Sequence, residues 1–232
     1  LDFEKIVQKG KPTSLVGRIM SLRPQGGLIF FTLHDGTGKF QGLLKKDDTN
    51  ASIFDLFSQT TDIGDFIEIK GTLFLTKRSE KTLLVSGWKM LSKSLLPLPE
   101  KWHGLQDVEE RFRKRYLDTI MSEDVRNRFL TRSKIITEIR HILDSADYLE
   151  VETPALQSLY GGASAAPFTT HHRALDIDLY LRISDELFLK RLLVGGFPKV
   201  YEIARDFRNE GIDTTHNPEF TMLEFYEAFS NC

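Results

Sequence analysis

Cysteine is nearly missing from the chain: its one thiol is Cys232, at the last position. That excludes a disulfide framework and a cysteine metal cluster, and it fits a reducing compartment. An excess of one charge sign is missing too. The 31 Lys and Arg stand against 33 Asp and Glu, a formal net charge of -2. No bulk basic field draws nucleic acid, so any RNA contact rests on local patches. No apolar run approaches the ~20 residues of a membrane helix, and the first residues show no signal-peptide pattern. Internal repeats and low-complexity tracts are absent. What remains is 41% hydrophobic and 28% charged over 232 residues, a soluble globular composition with room for one large or two small domains.

The first hundred residues read as short strands at close spacing, after a helical turn or two over 3–9. Alternation marks 15–22, 28–34, 40–44, 66–75 and 82–91. Gly26-Gly27 and Asp35-Gly36-Thr37-Gly38 are hairpin turns. Residues 51–58 form a helix between the third and fourth strands. Five strands with one helix after the third is the plan of an OB-fold barrel, though composition alone leaves an SH3-like barrel open. An OB barrel holds single-stranded nucleic acid or sugar on one face by stacking and cationic side chains. Arg23, Phe30, Lys39 and Gln41 are candidates for that face. The competing reading makes Phe30 core and Arg23 a solvated turn residue.

Leu95-Leu96-Pro97-Leu98-Pro99 is a proline-stiffened link, which puts the domain boundary between 1–96 and 97–232. Residues 107–117 predict a helix carrying Arg111, Arg113, Lys114 and Arg115. Residues 123–146 predict a long amphipathic helix, with Phe129, Ile136, Ile139 and Leu143 at helical spacing. An extended stretch over 148–153 stops at Pro154. The loop from Tyr160 to Phe168 is made of small residues, which let backbone approach a ligand closely. A strand over 179–183 follows, then Ser184 as N-cap of a helix over 185–193, closed by Gly195-Gly196. Glu186 lies in its first turn, where a carboxylate complements the helix dipole.

Residues 200–228 read as two strands joined by a turn-rich loop, 211–218. On the first, Glu202, Ala204, Asp206, Arg208 and Glu210 share a face. On the second, Phe220, Met222, Glu224 and Tyr226 share one. Antiparallel pairing puts Arg208, Glu210, Phe220, Glu224 and Tyr226 on one polar floor. An arginine fork suits a phosphate or carboxylate, an aromatic face suits a base or cation, and carboxylates suit an ammonium or an adenine amino group. A solvated sheet face is the other reading.

The run FRNEG…HNPEF resembles the second signature motif of class II aminoacyl-tRNA synthetases, which binds ATP and the aminoacyl adenylate. Residues 123–154 resemble the first motif, the family's dimer interface. GRIMSLRPQGGLIFFTLHDGTGKFQGLL and KWHGLQDVEERFRKRYLD are similar to the anticodon-binding domain and hinge of class IIb, the branch for Lys, Asp and Asn. GGASAAPF and ISDELFLKRL are similar to the bacterial lysyl-tRNA synthetases. The resemblance covers nearly the whole chain. It implies an all-β OB-fold barrel followed by an α+β class II synthetase catalytic domain, an antiparallel sheet with flanking helices, truncated after the second motif.

The implied activity is that of a lysine–tRNA ligase. Lysine carboxylate attacks the ATP α-phosphorus, and the lysyl group then passes to tRNA(Lys). By this resemblance Arg208 bridges the α-phosphate and the lysine carboxylate and is the catalytic residue. Glu210 and Asn217 hold the adenine end, His216 reaches the outer phosphates, and Phe220 stacks on adenine. Asn209 completes the ATP-binding set. Gly162 backbone lies near the α-amino group, and Glu186, Glu224 and Tyr226 hold the lysine side chain. A carboxylate near an ammonium gains roughly 4 kcal/mol at 4 Å and an effective dielectric near 20, and the same site repels an acidic side chain. Arg23, Phe30 and Gln41 read the anticodon.

The resemblance further implies ATP with Mg2+, whose ligands are expected beyond the end of this chain, and no metal site within it. A cytoplasmic homodimer through residues 123–154, without membrane contact, is the implied setting. Because the third motif is not in the chain, it reads as a fragment that is weakly active or inactive alone. Three positions depart from the pattern. Gly87 stands near an acidic anticodon-reading residue, Asp147 where the family commonly has glycine, and Asp185 where it usually has proline. The alternatives are an aspartyl- or asparaginyl-type synthetase, a non-catalytic tRNA-binding fragment, and a protein-lysylating relative. The last lacks the anticodon domain, so residues 15–91 speak against it.

Overall fold

The structure is a computed structural model and describes Val7, 11–99 and 104–230. The helical turn expected over 3–9 therefore lies outside the described residues apart from Val7, as does Cys232. Contacts divide the chain into two compact units, Leu1–Val125 and Arg126–Cys232.

In the first unit, strands β1 (Thr13–Gln25), β2 (Leu28–His34), β3 (Lys39–Lys45), β4 (Phe66–Leu75) and β5 (Lys81–Ser92) close a barrel in the order β1-β2-β3-β5-β4. The β3–β5 closure is parallel and the other ladders are antiparallel. Helix α1 (Ala51–Thr60) lies between β3 and β4, with Asn50 accepting the Ser52 N–H as its cap. This is the OB plan, and closure leaves the sheet without a free edge. Along β2, Ile29, Phe31 and Leu33 point inward. They pack with Ile19, Leu44, Ile67, Ile69, Leu83 and Val85, and with Phe54 and Phe57 from α1. Phe57 is the pivot: its ring lies 5.1 Å from both Phe31 and Trp88. Two glycines permit this packing. A Cβ on Gly42 would meet the Phe31 ring at 2.3 Å, and one on Gly71 would meet Leu84 O at 1.9 Å.

The helix expected over 107–117 is two helices, α2 (Val108–Arg113) and α3 (Arg115–Met121). Lys114 breaks them, at φ -113° and ψ 47°. Buried Asp118 holds the corner by pairing with Arg111 and Arg115 at 3.2 and 2.6 Å.

Helix α4 (Glu123–Ser145) ends in a Schellman turn. Tyr148 N–H donates to Leu143 O at 3.0 Å and Asp147 N–H to Asp144 O at 3.1 Å. Asp147 takes the left-handed position at φ 62°, which is the conformation glycine adopts most cheaply.

The second unit holds two three-stranded sheets. One orders β11 (Glu219–Glu227), β10 (Lys199–Phe207) and β6 (Leu149–Glu150). The other orders β7 (Leu156–Gln157), β9 (Ile177–Leu181) and β8 (Thr169–His172). Strand β10 is buried on both faces: Val200, Glu202, Ala204 and Asp206 on one, Tyr201 on the other. The Tyr201 hydroxyl donates to Asp144 and Glu150 at 2.9 and 3.2 Å, fixing α4 and β6 to the sheet. Helix α5 (Glu186–Val194) packs against β10 and β11. Asp185, not Ser184, occupies its N-cap position, but the capping bond is Ser184's: its Oγ accepts the Glu186 N–H at 3.1 Å. No helix among the described residues is long and apolar enough to cross a membrane.

Candidate active site

The site floor follows from the β10–β11 register. Glu202 faces Glu224, Ala204 faces Met222 and Asp206 faces Phe220. Directly opposed residues point to the same side of an antiparallel pair, so Phe220, Glu224 and Tyr226 share one face, whereas Arg208 and Glu210, expected on the first strand, lie beyond its end at Phe207. Arg208 lies just past the end of β10 and is anchored by its N–H on Pro218 O at 2.9 Å. Its guanidinium stands 5.0 Å from the Phe220 ring centroid. Its Nε is buried without a hydrogen-bond partner among the described residues. A buried, unsatisfied guanidinium N–H suits an anionic oxygen.

The turn after Arg208 is polar and open. Asn209 N–H donates to Ala166 O at 2.8 Å, which joins the small-residue loop to the floor. Asp213 gathers the loop tip by accepting from the N–H groups of Thr215 and His216 at 2.7 and 2.8 Å. These bonds and the His216 ring hold the Asp213 carboxyl far below its ordinary value. The ring meets Asp213 through Nδ1, leaving Nε2 facing away. Glu210 and Asn217 are exposed.

Glu224 sits at the other end of the floor under three donors. Ser184 Oγ donates at 2.8 Å, Tyr226 OH at 3.1 Å and Asp185 N–H at 3.4 Å. Burial first, then the Glu224 charge, pushes the Tyr226 phenol well up, so it stays a neutral donor. Glu186 is half-buried and meets Lys190 one helical turn on, at 2.5 Å. The same Lys190 Nζ lies 5.7 Å from the Tyr226 ring centroid. A lysine ammonium of the chain itself thus touches Glu186 and the Tyr226 face. Gly162 (φ 86°) packs its backbone on this corner, where a Cβ would meet Ser184 Oγ at 2.9 Å and Glu186 Cβ at 3.0 Å.

Beneath the floor, Arg182 is 6% exposed among acidic groups. It donates to Glu202 at 2.7 Å, to Thr153 O at 3.0 Å and to Arg205 O at 2.9 Å. It lies 3.2 Å from Asp185 and 3.4 Å from Asp206. Neither aspartate gains a well-directed hydrogen bond from it, and both are 0% exposed. Carboxylate oxygens of Asp185, Asp206 and Glu224 all lie within 4.8 Å of one another. Burial, then Asp206 and Glu202, pushes Asp185 up to about 8. Burial raises Asp206 to about 6 despite Arg182.

On the barrel, Arg23 pairs directly across from Phe30. Its Nη2 reaches Gln41 Oε1 at 3.4 Å, and Gln41 Nε2 donates to Thr82 Oγ1 at 2.9 Å. Phe30 is half-buried and points away from the core-facing Ile29 and Phe31. Arg23 is exposed and Phe30 half-buried, while Gln41, which joins them across β1, β2 and β3, is itself buried. Gly87 has open space where a side chain would stand.

Comparison with known proteins agrees with the fold. A family of tRNA synthetases class II (D, K and N) matches residues 107–232, and an OB-fold nucleic acid binding domain family matches 13–91. The chain belongs to the class II aminoacyl-tRNA synthetases. It is similar to a lysine–tRNA ligase of Pelotomaculum thermopropionicum, 54% identical over 97% of this chain and 44% of that one. Lysine–tRNA ligases of Clostridium tetani and Methanoculleus marisnigri are 52% and 55% identical over 99% and 93% of the chain. The chain spans less than half the length of these curated relatives. As a synthetase of this class, it is an OB-fold domain followed by part of a class II catalytic domain.

The structure thus brings together Arg208 with Phe220, and Glu186 with Gly162, Glu224 and Tyr226. Reading of the sequence alone passed over Arg182 and gave Ser184 only a capping role. The signal for Arg182 is its place between Leu181 and Ile183, as the one charge in the otherwise apolar run over 179–183.

Proposed function

We propose that the protein containing this chain is a lysine–tRNA ligase. It activates L-lysine with ATP to lysyl-adenylate and transfers the lysyl group to tRNA(Lys). The observation that carries the choice of lysine is the corner of Glu186, Glu224 and Tyr226, which already accommodates the ammonium of Lys190. Two carboxylates and an aromatic face attract a cationic side chain and repel aspartate. Asparagine would leave Glu224 without a cation from the substrate.

The reaction requires no nucleophile from the protein. Arg208, with its open Nε, bridges the α-phosphate and the lysine carboxylate and neutralises charge as it develops. Phe220 stacks on adenine beside it. Glu210 and Asn217 hold the adenine end, Asn209 fixes the loop, and His216 meets the outer phosphates through Nε2. Gly162 lets the backbone reach the α-amino group. The Arg23–Phe30–Gln41 patch stacks on and reads an anticodon base. Residues 123–154 supply the dimer contact, and the setting is the cytoplasm.

ATP use implies Mg2+. The Asp185–Asp206–Glu224 group does not fit that ion: Arg182 already stands against its two closed-off aspartates.

Glu224→Gln tests the reading. Calorimetry should show lysine affinity falling at least tenfold while ATP affinity holds. Equal loss of both would sink the lysine-pocket assignment.

A further inference from the structure

Four carboxylates, Asp185, Glu202, Asp206 and Glu224, surround the floor's underside, and Arg182 is the cation among them. Its hydrogen bonds are directed to Glu202 and to the backbone, not to the aspartates. Thr153 Oγ1 donates the second bond to Glu202, at 2.6 Å, so that carboxylate is satisfied. Glu224 is satisfied by Ser184, Tyr226 and the Asp185 N–H. Asp185 and Asp206 are left, wholly enclosed, with both oxygens of each lacking a hydrogen-bond donor among the described residues.

Two buried carboxylates so placed cannot both stay ionised beside a third. A proton held between them removes one negative charge and supplies the missing donor. The neighbouring charges act as follows. Glu224 on β11 and Glu202 on β10 favour keeping the proton. Arg182 after β9 and Arg208 after β10 oppose it. Glu186 on α5 is paired with Lys190, and Tyr226 remains neutral.

We propose that Asp185 and Asp206 hold one proton between them in the empty protein and release it to solvent when a cationic side chain docks at Glu224. This rests on the lysine-ligase reading and deepens it: the two aspartates become positioning residues that set how strongly the pocket attracts a cation. An ammonium arriving at Glu224 brings the positive charge the cluster lacks, and the proton becomes dispensable. Both residues act through Glu224, which the Asp185 N–H touches directly.

Proton release makes lysine affinity rise with pH. The rise ends near about pH 8, above which the empty protein no longer holds the proton, and is at most about tenfold per pH unit.

The test is titration calorimetry of L-lysine into the full-length protein, near pH 7, in two buffers of different ionisation enthalpy. The expected heats differ between buffers in the sense of proton release. Asp185→Asn and Asp206→Asn should each bind lysine with heats that no longer depend on buffer, and with affinity flat across the same pH range. Lysine binding with identical heats in both buffers would overturn the proposal and leave the ligase reading standing. So would variants that keep the pH slope. If ATP binds and lysine gives no heat at all, the ligase reading fails and the proton coupling falls with it. Should one variant not fold, the other and the wild-type buffer dependence still decide.

Discussion

At the scale of single residues, the acidic cluster and the left-handed corner have consequences for stability. Asp185 has an ordinary carboxylate value of 3.8 when unfolded and is raised to about 8 when folded. The folded state therefore binds the proton more tightly. Stability tied to it is fully present below about pH 4 and is lost as pH climbs toward about 8. Asp206 adds a loss of the same sign that is complete near pH 6. Asp185→Asn removes the ionisation, so urea unfolding should show it more stable than wild type by on the order of 1–3 kcal/mol near pH 8. Near pH 4 the two proteins should be alike. A variant no more stable at high pH would mean the buried pair is not as enclosed as its geometry implies. Asp147 is simpler. Because it already sits at φ 62° in the C-terminal turn of α4, Asp147→Gly should raise the unfolding free energy, measured by urea denaturation, by about 0.5–1 kcal/mol. No gain would mean the Asp side chain stabilises the turn in a compensating way.

At the scale of elements, the strands of the barrel and of the β10–β11 hairpin were legible because alternation and turn residues agree there. Alternation fixes which face each side chain takes, but not the register that sets Glu202 opposite Glu224, nor the end of β10 at Phe207, before Arg208 and Glu210. The break at Lys114 was not legible. Neither glycine nor proline marks it, and its cause is tertiary: Asp118 is buried against two arginines from different helices. The short β7 and β8 strands were missed for a related reason. They run for 2 and 4 residues, too short for a period to register. Arg208 with Phe220, and Glu186 with Glu224, could be named from the sequence because each lies in a motif. Asp185 and Asp206 acquire their character only when the fold closes over them. Packing at element scale is most exposed to test at Gly71, where β4 shifts register against β5. A methyl group there collides with the Leu84 carbonyl. Gly71→Ala should cost about 2–3 kcal/mol by chemical denaturation, and a change within 0.5 kcal/mol, roughly the surface-substitution range, would contradict the packing described.

At the scale of the whole molecule, the proposed function divides recognition and chemistry between the two units. The barrel carries a basic and aromatic patch on a chain with net charge -2, so RNA contact depends on local geometry rather than on bulk field. Phe30→Ala should weaken binding of an anticodon stem-loop by about 1–3 kcal/mol, measured by fluorescence anisotropy. Unchanged affinity would remove the patch from the anticodon site. The second unit carries the β10–β11 floor proposed to bind ATP and the amino acid, and the similar lysine–tRNA ligases are more than twice as long as this chain. The central claim is that this floor selects lysine for adenylation. It is tested most directly by amino-acid-dependent ATP–pyrophosphate exchange, run with each standard amino acid, on the protein at the length of those relatives. The account predicts exchange with L-lysine alone. Exchange driven by aspartate or asparagine, or none with any amino acid, would contradict it.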